Sequence, residues 1–325
     1  MKIVVTEALH LAEWAKQTLA DLGSVSYGPF DDRALARELV DCDVIMVRLG
    51  PHIGGAIISA APKLRYILTA TTGLDHIDLD AARAASVRVI SLRDCPGAIL
   101  DVTATAEHCF GLLLALLRHT PAATAHVLSG GWDRDRFWGR QLKGKSLGVI
   151  GYGRIGAMVA RYAASFGMDV IACDGIASKI GPPAKPVSFD ELLRHADVVS
   201  VHVTATPENR NLIDQAAIER LKRGAVLINT ARGSVVDEAA LAEAVRRGLL
   251  LGVAVDVLAG EEHGEVSKSP LLEAAREGRN ILITPHIGGA TLESIAHTET
   301  ALIERFLEVL KGEGAAPAAI SARQS

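Results

Sequence analysis

An apolar, β-branched run that breaks into glycines constrains this chain more than any other stretch. Lys145-Ser-Leu-Gly-Val-Ile leads into Gly151-Tyr-Gly153-Arg-Ile-Gly156 and continues as a helical pattern, Ala157–Phe166. In a strand–turn–helix unit Gly151 permits the tight turn, Gly153 lets the backbone approach a pyrophosphate, and Gly156 lets helix pack on strand. The free N–H groups that open the helix then make an anion site. A second strand pattern, Asp169–Cys173, ends in Asp174, which lies 174 − 151 = 23 positions beyond the first glycine. An acidic side chain there can accept from a ribose 2′-hydroxyl. A 2′-phosphate would meet that carboxylate with no arginine in Gly175-Ile176-Ala177 to relieve it, so the expected cofactor is NAD.

Composition agrees with an α/β enzyme and excludes other classes. The chain has 325 residues, 49% of them hydrophobic, and a net charge of −4, enough for two domains of ordinary size. A mildly acidic balance without a basic stripe argues against nucleic acid. The longest apolar stretch, Cys109–Leu117, is stopped by Arg118 and His119 and is too short to span a membrane. Met1-Lys-Ile-Val-Val runs straight into a strand pattern, which leaves no room for a signal peptide and makes the cytoplasm the expected location. Cys42, Cys95, Cys109 and Cys173 are scattered and are expected to be reduced and mostly buried.

Strand and helix patterns alternate from the first residues. Ile3–Thr6, Ser24–Tyr27, Val44–Arg48, Tyr66–Ala70 and Val87–Leu92 read as strands, with helical segments such as Leu79–Ala85 between them, the signature of a parallel sheet. Cys95-Pro96-Gly97 punctuates the chain, and Ile99–Arg118 reads as one long buried helix. The region from Gly130-Gly131-Trp132 to Arg140 reads as a loop whose aromatics serve an oligomer contact or a satellite of the core. Past the glycine turn, strands are expected at Val198–Val203, Val226–Asn229, Gly252–Val257 and Ile281–Thr284, with helices signalled by Ser188-Phe-Asp-Glu and by Asp237–Arg247. A last helix is expected from about Thr291 to Leu310, followed by a frayed end, Gly312–Ser325. The fold class is therefore α/β, with two doubly wound parallel sheets.

Three polar residues stand at the ends of expected strands: Arg232 after Asn229-Thr-Ala, Glu261 after Asp256-Val-Leu-Ala-Gly, and His286 after Thr284-Pro. The carboxyl ends of the strands define the ligand crevice of an open α/β sheet. Together the three suit one chemistry. Arg232 can hold a carboxylate through two parallel hydrogen bonds, His286 can exchange a proton with a carbonyl or hydroxyl oxygen, and Glu261 can orient the imidazole and favour its charged form. No metal site is expected, because His263 among Glu261, Glu262 and Glu265 has no second histidine at ligand spacing.

The motifs Leu147-Gly-Val-Ile-Gly-Tyr-Gly-Arg-Ile-Gly156, Asn229-Thr-Ala-Arg-Gly-Ser-Val-Val-Asp-Glu238, Gly252-Val-Ala-Val-Asp-Val257 and Thr284-Pro-His-Ile-Gly-Gly289 together resemble the D-isomer-specific 2-hydroxyacid dehydrogenases. The resemblance runs from the first strand to about Leu310. It implies hydride transfer between NAD and C2 of a 2-hydroxy or 2-keto acid, with Arg232, Glu261 and His286 catalytic. It implies cofactor contacts at Thr72, Gly151, Gly153, Arg154, Ile155, Gly156, Asp174, Val203, Thr230, Ala231, Asp256, Gly288 and Gly289. It implies substrate contacts at Thr71, Thr72, Gly73 and Arg232. Arg48, at a strand end where phosphoglycerate dehydrogenases also have an arginine, is expected to meet a second anionic group, which makes 3-phosphoglycerate the first candidate. The implied architecture is a Rossmann domain, 98–287, inserted into a flavodoxin-like substrate domain made of 1–97 and 288–325. A homodimer joined through the cofactor domain is implied, with Ile99–Arg118 as its contact. Departures from the family pattern are Leu258 and Ala259 after Asp256-Val, Glu262 where a proline usually follows the glutamate, Thr204 for a proline and Asp94 for an asparagine. The other reading is a binding protein on the same fold that senses NAD(H) without turnover.

Overall fold

The strands of this chain are apolar at nearly every position because helices cover both faces of its sheets. The structure, a computed structural model, describes residues 1–313, the side chain of Asp32 excepted. It divides into two units, Met1–Val102 with the chain from Thr291 on, and Thr103–Ala290; the expected divisions stood at 97/98 and 287/288. Of the expected frayed end, residues 314–325 lie outside the described residues.

The first unit runs β1 (Lys2–Val5), α1 (Glu13–Leu22), β2 (Ser24–Tyr27), α2 (Asp32–Leu39), β3 (Val44–Val47), α3 (Gly55–Ala60), β4 (Tyr66–Thr69), α4 (Leu79–Ala84) and β5 (Arg88–Ser91). Its five parallel strands are ordered β2-β1-β3-β4-β5, the flavodoxin-like order. Side chains alternate between faces along each strand. Ile3, Val5, Val44, Met46, Tyr66 and Leu68 pack with α1 and with the helix Leu292–Gly312. Val4, Ile45, Val47 and Ile67 pack with α2, α3 and α4. Phe306 of the C-terminal helix is fully buried edge-on to Tyr66, with ring centroids 5.2 Å apart.

The second unit opens with α5 (Ala104–Leu117) and α6 (Thr120–Leu128) and continues β6 (Ser146–Ile150), α7 (Arg154–Ser165), β7 (Asp169–Cys173), β8 (Lys185–Pro186), α8 (Phe189–His195), β9 (Val198–Val201), α9 (Gln215–Glu219), β10 (Val226–Asn229), α10 (Glu238–Arg246), β11 (Gly252–Val255), α11 (Pro270–Arg276) and β12 (Ile281–Ile283). Its seven parallel strands are ordered β12-β11-β10-β9-β6-β7-β8. The order reverses between β9 and β6, the switch point where doubly wound sheets bind ligands. Leu192, Ile218, Leu241 and Leu271, from α8 to α11, cover one face. Cys109, Leu113 and Leu116 of α5, with Val159 and Ala163 of α7, cover the other. Ser188 caps α8 by accepting from Glu191 N, and Asp237 caps α10 by accepting from Ala240 N, as N-cap side chains do.

One expectation is corrected here. The helix expected over Ile99–Arg118 starts only at Ala104 and stops at Leu117; His119 then takes a left-handed conformation (φ 52°), and Thr120 and Pro121 open α6. Most of its apolar side chains pack in the core of its own unit, while Leu114 is 37% exposed. More exposed apolar surface lies beyond it. No residue of α6 is buried, while Leu128, Trp132 and Trp138 are 83%, 89% and 76% exposed. All four cysteines are free, and burial pushes the thiols of Cys42, Cys109 and Cys173 up to about 11. No helix of the described residues is long and apolar enough to cross a membrane.

Arg48 follows β3 and is held within the first unit. Its Nη2 donates to the carbonyls of Glu7 and Leu9, each at 2.7 Å, and its Nε lies 3.1 Å from Glu299 Oε1. The contact is electrostatic rather than aligned, because neither Nε nor the Glu299 oxygens form a hydrogen bond. Glu299 is 1% exposed, and burial, opposed by Arg48 and reinforced by Glu7, pushes its carboxyl up to about 7. Between its ordinary 4.5 and about 7, the folded chain holds a proton here that the unfolded chain releases. Glu299 therefore favours folding most below pH 4.5, and this contribution is lost as pH rises through 7. At about 1.4 kcal/mol per pH unit the effect is about 3 kcal/mol. Urea unfolding should show Glu299→Gln gaining on the wild type as pH rises from 5 to 8, by up to about 3 kcal/mol; a difference that does not change with pH would contradict this account.

Candidate active site

The glycine turn is built as its spacing requires at two of its three positions. Gly151 follows β6 with φ 91°, and a Cβ on it would sit 2.8 Å from the carbonyl of His202. A Cβ on Gly156 would lie 2.1 Å from Gly151 O, so only glycine lets α7 approach the turn. Gly153 has no atom within 4 Å of where its Cβ would be; the backbone there is open, as a closely approaching phosphate needs. Gly153 is also the N-cap of α7, whose first turn carries no acidic residue and no side-chain cap. A helix start of this kind suits an anion. Arg154 stands at this helix start, its pKa lowered by burial. These residues fit a dinucleotide.

Asp174 follows β7 and closes the turn from the side. Its Oδ2 accepts from Tyr152 N and its Oδ1 from Ile176 N, both at 2.8 Å, which fixes the carboxylate at the strand end. On the other side of the switch point Val203 follows β9, and Thr230 and Ala231 follow β10. Asn229 shapes this second turn, accepting from Ala231 N with Oδ1 and donating to Arg232 O with Nδ2. His202 is held neutral by burial, which pushes its pKa down to about 4.

Arg232, Glu261 and His286 follow β10, β11 and β12, three adjacent parallel strands, and so stand along one edge of one sheet. His286 Nδ1 lies 2.6 Å from Glu261 Oε1. Glu261, not Glu262, is the partner, and its other oxygen accepts from Leu258 N at 3.1 Å. With Nδ1 donating to the carboxylate, Nε2 is the nitrogen left to meet a substrate. Arg232 Nη1 donates to Ala231 O at 2.8 Å. His263 is 3.8 Å from Glu262, and no group of three or more potential metal ligands occurs among the described residues.

Sequence reasoning gave Asp256 to the cofactor and missed what its carboxylate holds. Asp256 is 2% exposed. Its Oδ1 accepts from Thr284 Oγ1 (2.6 Å) and Ile287 N (2.9 Å), and its Oδ2 accepts from Gly288 N (2.7 Å). His108 of α5 adds Nε2 at 3.2 Å from Oδ1. These bonds bracket His286, which has φ 53°, a left-handed conformation that costs a non-glycine residue roughly 1–2 kcal/mol. The signal available was the Thr284-Pro-His-Ile-Gly-Gly run itself, a turn whose donors need a buried acceptor.

Of the remaining expected residues, Ile155 in α7 and Gly289 belong to the second unit, and Thr71, Thr72, Gly73 and Arg48 to the first. Thr71 Oγ1 donates to Gly73 O at 2.7 Å and lies 2.9 Å from Thr69 Oγ1, and Thr72 O accepts from Arg93 Nε at 2.7 Å. Arg48 is committed as described above.

Residues 110–288 match the family model described as D-isomer specific 2-hydroxyacid dehydrogenase, NAD binding domain. A D-3-phosphoglycerate dehydrogenase of Mycobacterium bovis is 37% identical over 319 residues, covering 95% of this chain and 57% of that protein; the chain thus spans little more than half the length of such relatives. A hydroxypyruvate reductase of Thermotoga maritima is 34% identical over 276 residues, covering 85% of this chain and 87% of that one. The crystal structure of D-lactate dehydrogenase from Aquifex aeolicus, complexed with NAD and lactic acid, superposes with a TM-score of 0.81 at 30% identity, covering 98% and 100% of the two chains. The chain belongs to the D-isomer-specific 2-hydroxyacid dehydrogenase family, and its second unit carries that family's NAD-binding domain.

Asp256→Asn would turn an amide N–H toward a backbone donor. The unsatisfied pair should cost about 1–3 kcal/mol in urea unfolding, with faster amide exchange at Ile287 and Gly288. An unchanged midpoint would remove Asp256 from this role.

Proposed function

We propose that this protein is an NAD-dependent oxidoreductase acting at C2 of a 2-hydroxy or 2-keto acid. The observation that carries the reading is the 2.6 Å contact between His286 and Glu261 on the sheet edge that also bears the glycine turn. Bound NADH would supply the hydride. Arg232 holds the substrate carboxylate, its fork matching the two oxygens. Glu261 fixes the imidazole through Nδ1 and balances its positive charge, and His286 gives a proton from Nε2 to the carbonyl oxygen, or takes it back in oxidation. Asp174 accepts from the ribose hydroxyls, and the N–H groups at Arg154 and Ile155 meet the pyrophosphate. Asp256 serves the nicotinamide end through the turn it holds. Thr71, Thr72 and Gly73 are assigned to substrate and cofactor on the family resemblance.

The names of the relatives favour 3-phosphohydroxypyruvate and hydroxypyruvate as substrates. The Arg48 contacts weigh against a two-pronged phosphate grip at that residue, since Nη2 already donates to two carbonyls and Nε faces Glu299. Hydroxypyruvate, glyoxylate, pyruvate and 3-phosphohydroxypyruvate with NADH form the panel that decides. We also propose a homodimer through the second unit, in which a second copy covers α6, Leu128 and the two exposed tryptophans; exposed apolar area of this kind marks protein contacts.

On whichever member of the panel turns over, His286→Ala should lower kcat by roughly two to four orders of magnitude, the range for a positioned acid–base group, with NADH affinity nearly unchanged. Turnover at the wild-type rate would overturn the proposal.

A further inference from the structure

Glu261 reaches back to the buried Leu258 through its N–H and its carboxylate, but the rest of its loop is held by local bonds. Residues 262–268 are all exposed, and Gly260 and Gly264 take left-handed conformations with φ 77° and 72°. The backbone N–H groups of Glu261, His263, Gly264, Glu265 and Lys268 donate to carbonyls of Leu258, Gly260, Glu261 and Glu265. Apart from the bond to the buried Leu258, these travel with the loop and do not anchor it. Beside it lies an open groove of about 290 Å³ whose lining includes Asn211, Glu238, Ala259, Lys268 and Ser269.

One carboxylate closes its base. Glu238, the first residue of α10 and 7% exposed, accepts from Ala259 N with Oε1 at 2.6 Å and from Ser269 Oγ with Oε2 at 2.5 Å. These donors stand where the loop leaves and rejoins the body of the unit, and Ser269 is itself buried. The segment leading to Glu238 is seated on the same peptide: a Cβ on Gly233 would come within 2.1 Å of Leu258 C and 2.2 Å of Ala259 N. Gly233 directly follows Arg232, so backbone contact at Gly233 and the Glu238 carboxylate set the Arg232 and Glu261 segments against each other.

We propose that Glu238 is a positioning residue that keeps Glu261 within reach of His286 by closing the 259–269 loop. The proposal rests on the role given above to Glu261. A carboxylate suits the position because it accepts at both oxygens and has no donor to mismatch. Glutamine can replace it: its carbonyl accepts from Ala259 N and its amide donates to the Ser269 hydroxyl, which rotates to accept. Alanine leaves both donors without a partner.

The test uses Glu238→Ala, Glu238→Gln, Glu261→Gln and the double variant Glu238→Ala/Glu261→Gln, assayed with hydroxypyruvate and NADH, alongside amide exchange of the intact protein without substrate. Glu238→Ala should lower kcat about tenfold or more while KM for NADH stays within about twofold, Glu238→Gln should keep most of the activity, and the double variant should be little slower than the slower single, because residues acting through one contact are not additive. Exchange across Ala259–Ser269 should accelerate in Glu238→Ala and not in Glu238→Gln. Multiplying single effects in the double variant, or unchanged exchange in Glu238→Ala, would overturn the proposal. Glu261→Gln with unimpaired turnover would overturn the role of Glu261, a separate failure that leaves the exchange result to decide whether Glu238 closes the loop.

Discussion

The hydrogen bond between His286 Nδ1 and Glu261 Oε1 joins two turns that have little core of their own, and everything catalytic proposed here depends on its length. Parallel pairing brings β11 and β12 side by side, but strands deliver side chains only to the sheet edge. Beyond the edge, carboxylates do the placing. Asp256 binds the backbone on the C-terminal side of His286, Glu238 binds both ends of the Glu261 loop, and Asp174 binds the glycine turn through Tyr152 N. A buried or partly buried carboxylate facing backbone N–H groups makes stronger, shorter bonds than neutral acceptors do. A strand-end turn can thus be rigid without being packed.

The same device occurs in the first unit, with a different outcome. Glu7 Oε2 accepts from the N–H groups of Arg48, Leu49 and Gly50 at 2.7, 3.0 and 3.3 Å, which fixes the turn after β3. Arg48 then points its guanidinium back onto the unit, to Glu299 and two carbonyls. A strand-end arginine is therefore not automatically a free cation, and the pair it forms is costly, because Glu299 lies in an almost dry position.

Most of the fold was legible in the sequence because parallel strands covered on both faces read as unbroken apolar runs; Val44–Val47, Tyr66–Thr69 and Val198–Val201 were each recognisable alone. The glycine turn was legible from its spacing, because Gly156 answers to Gly151 within the turn and Gly153 to open space, although Gly151 itself meets the distant His202. What escaped depends on partners far away in sequence. The late start at Ala104 and the helix after His119 were missed, and Lys185–Pro186 is too short for a pattern. Glu299 was written into the buried stripe of the last helix with Leu302, Ile303 and Phe306, yet its partner Arg48 lies 299 − 48 = 251 positions away. Glu238 and Asp256 were visible only as members of motifs, because the donors they satisfy lie 21 to 32 residues further on. Why glutamate rather than proline follows Glu261 has no account in these contacts.

The central claim is that this sheet edge transfers hydride and does not merely hold a nucleotide. The most direct measurement is mass spectrometry of the product formed from hydroxypyruvate, glyoxylate, pyruvate and 3-phosphohydroxypyruvate with NADH deuterated at C4 of the nicotinamide. The account predicts a 2-hydroxy acid carrying deuterium at C2 from at least one of the four. Tight NADH binding with no deuterated product from any of them would contradict it and favour a protein that senses the cofactor without turning it over.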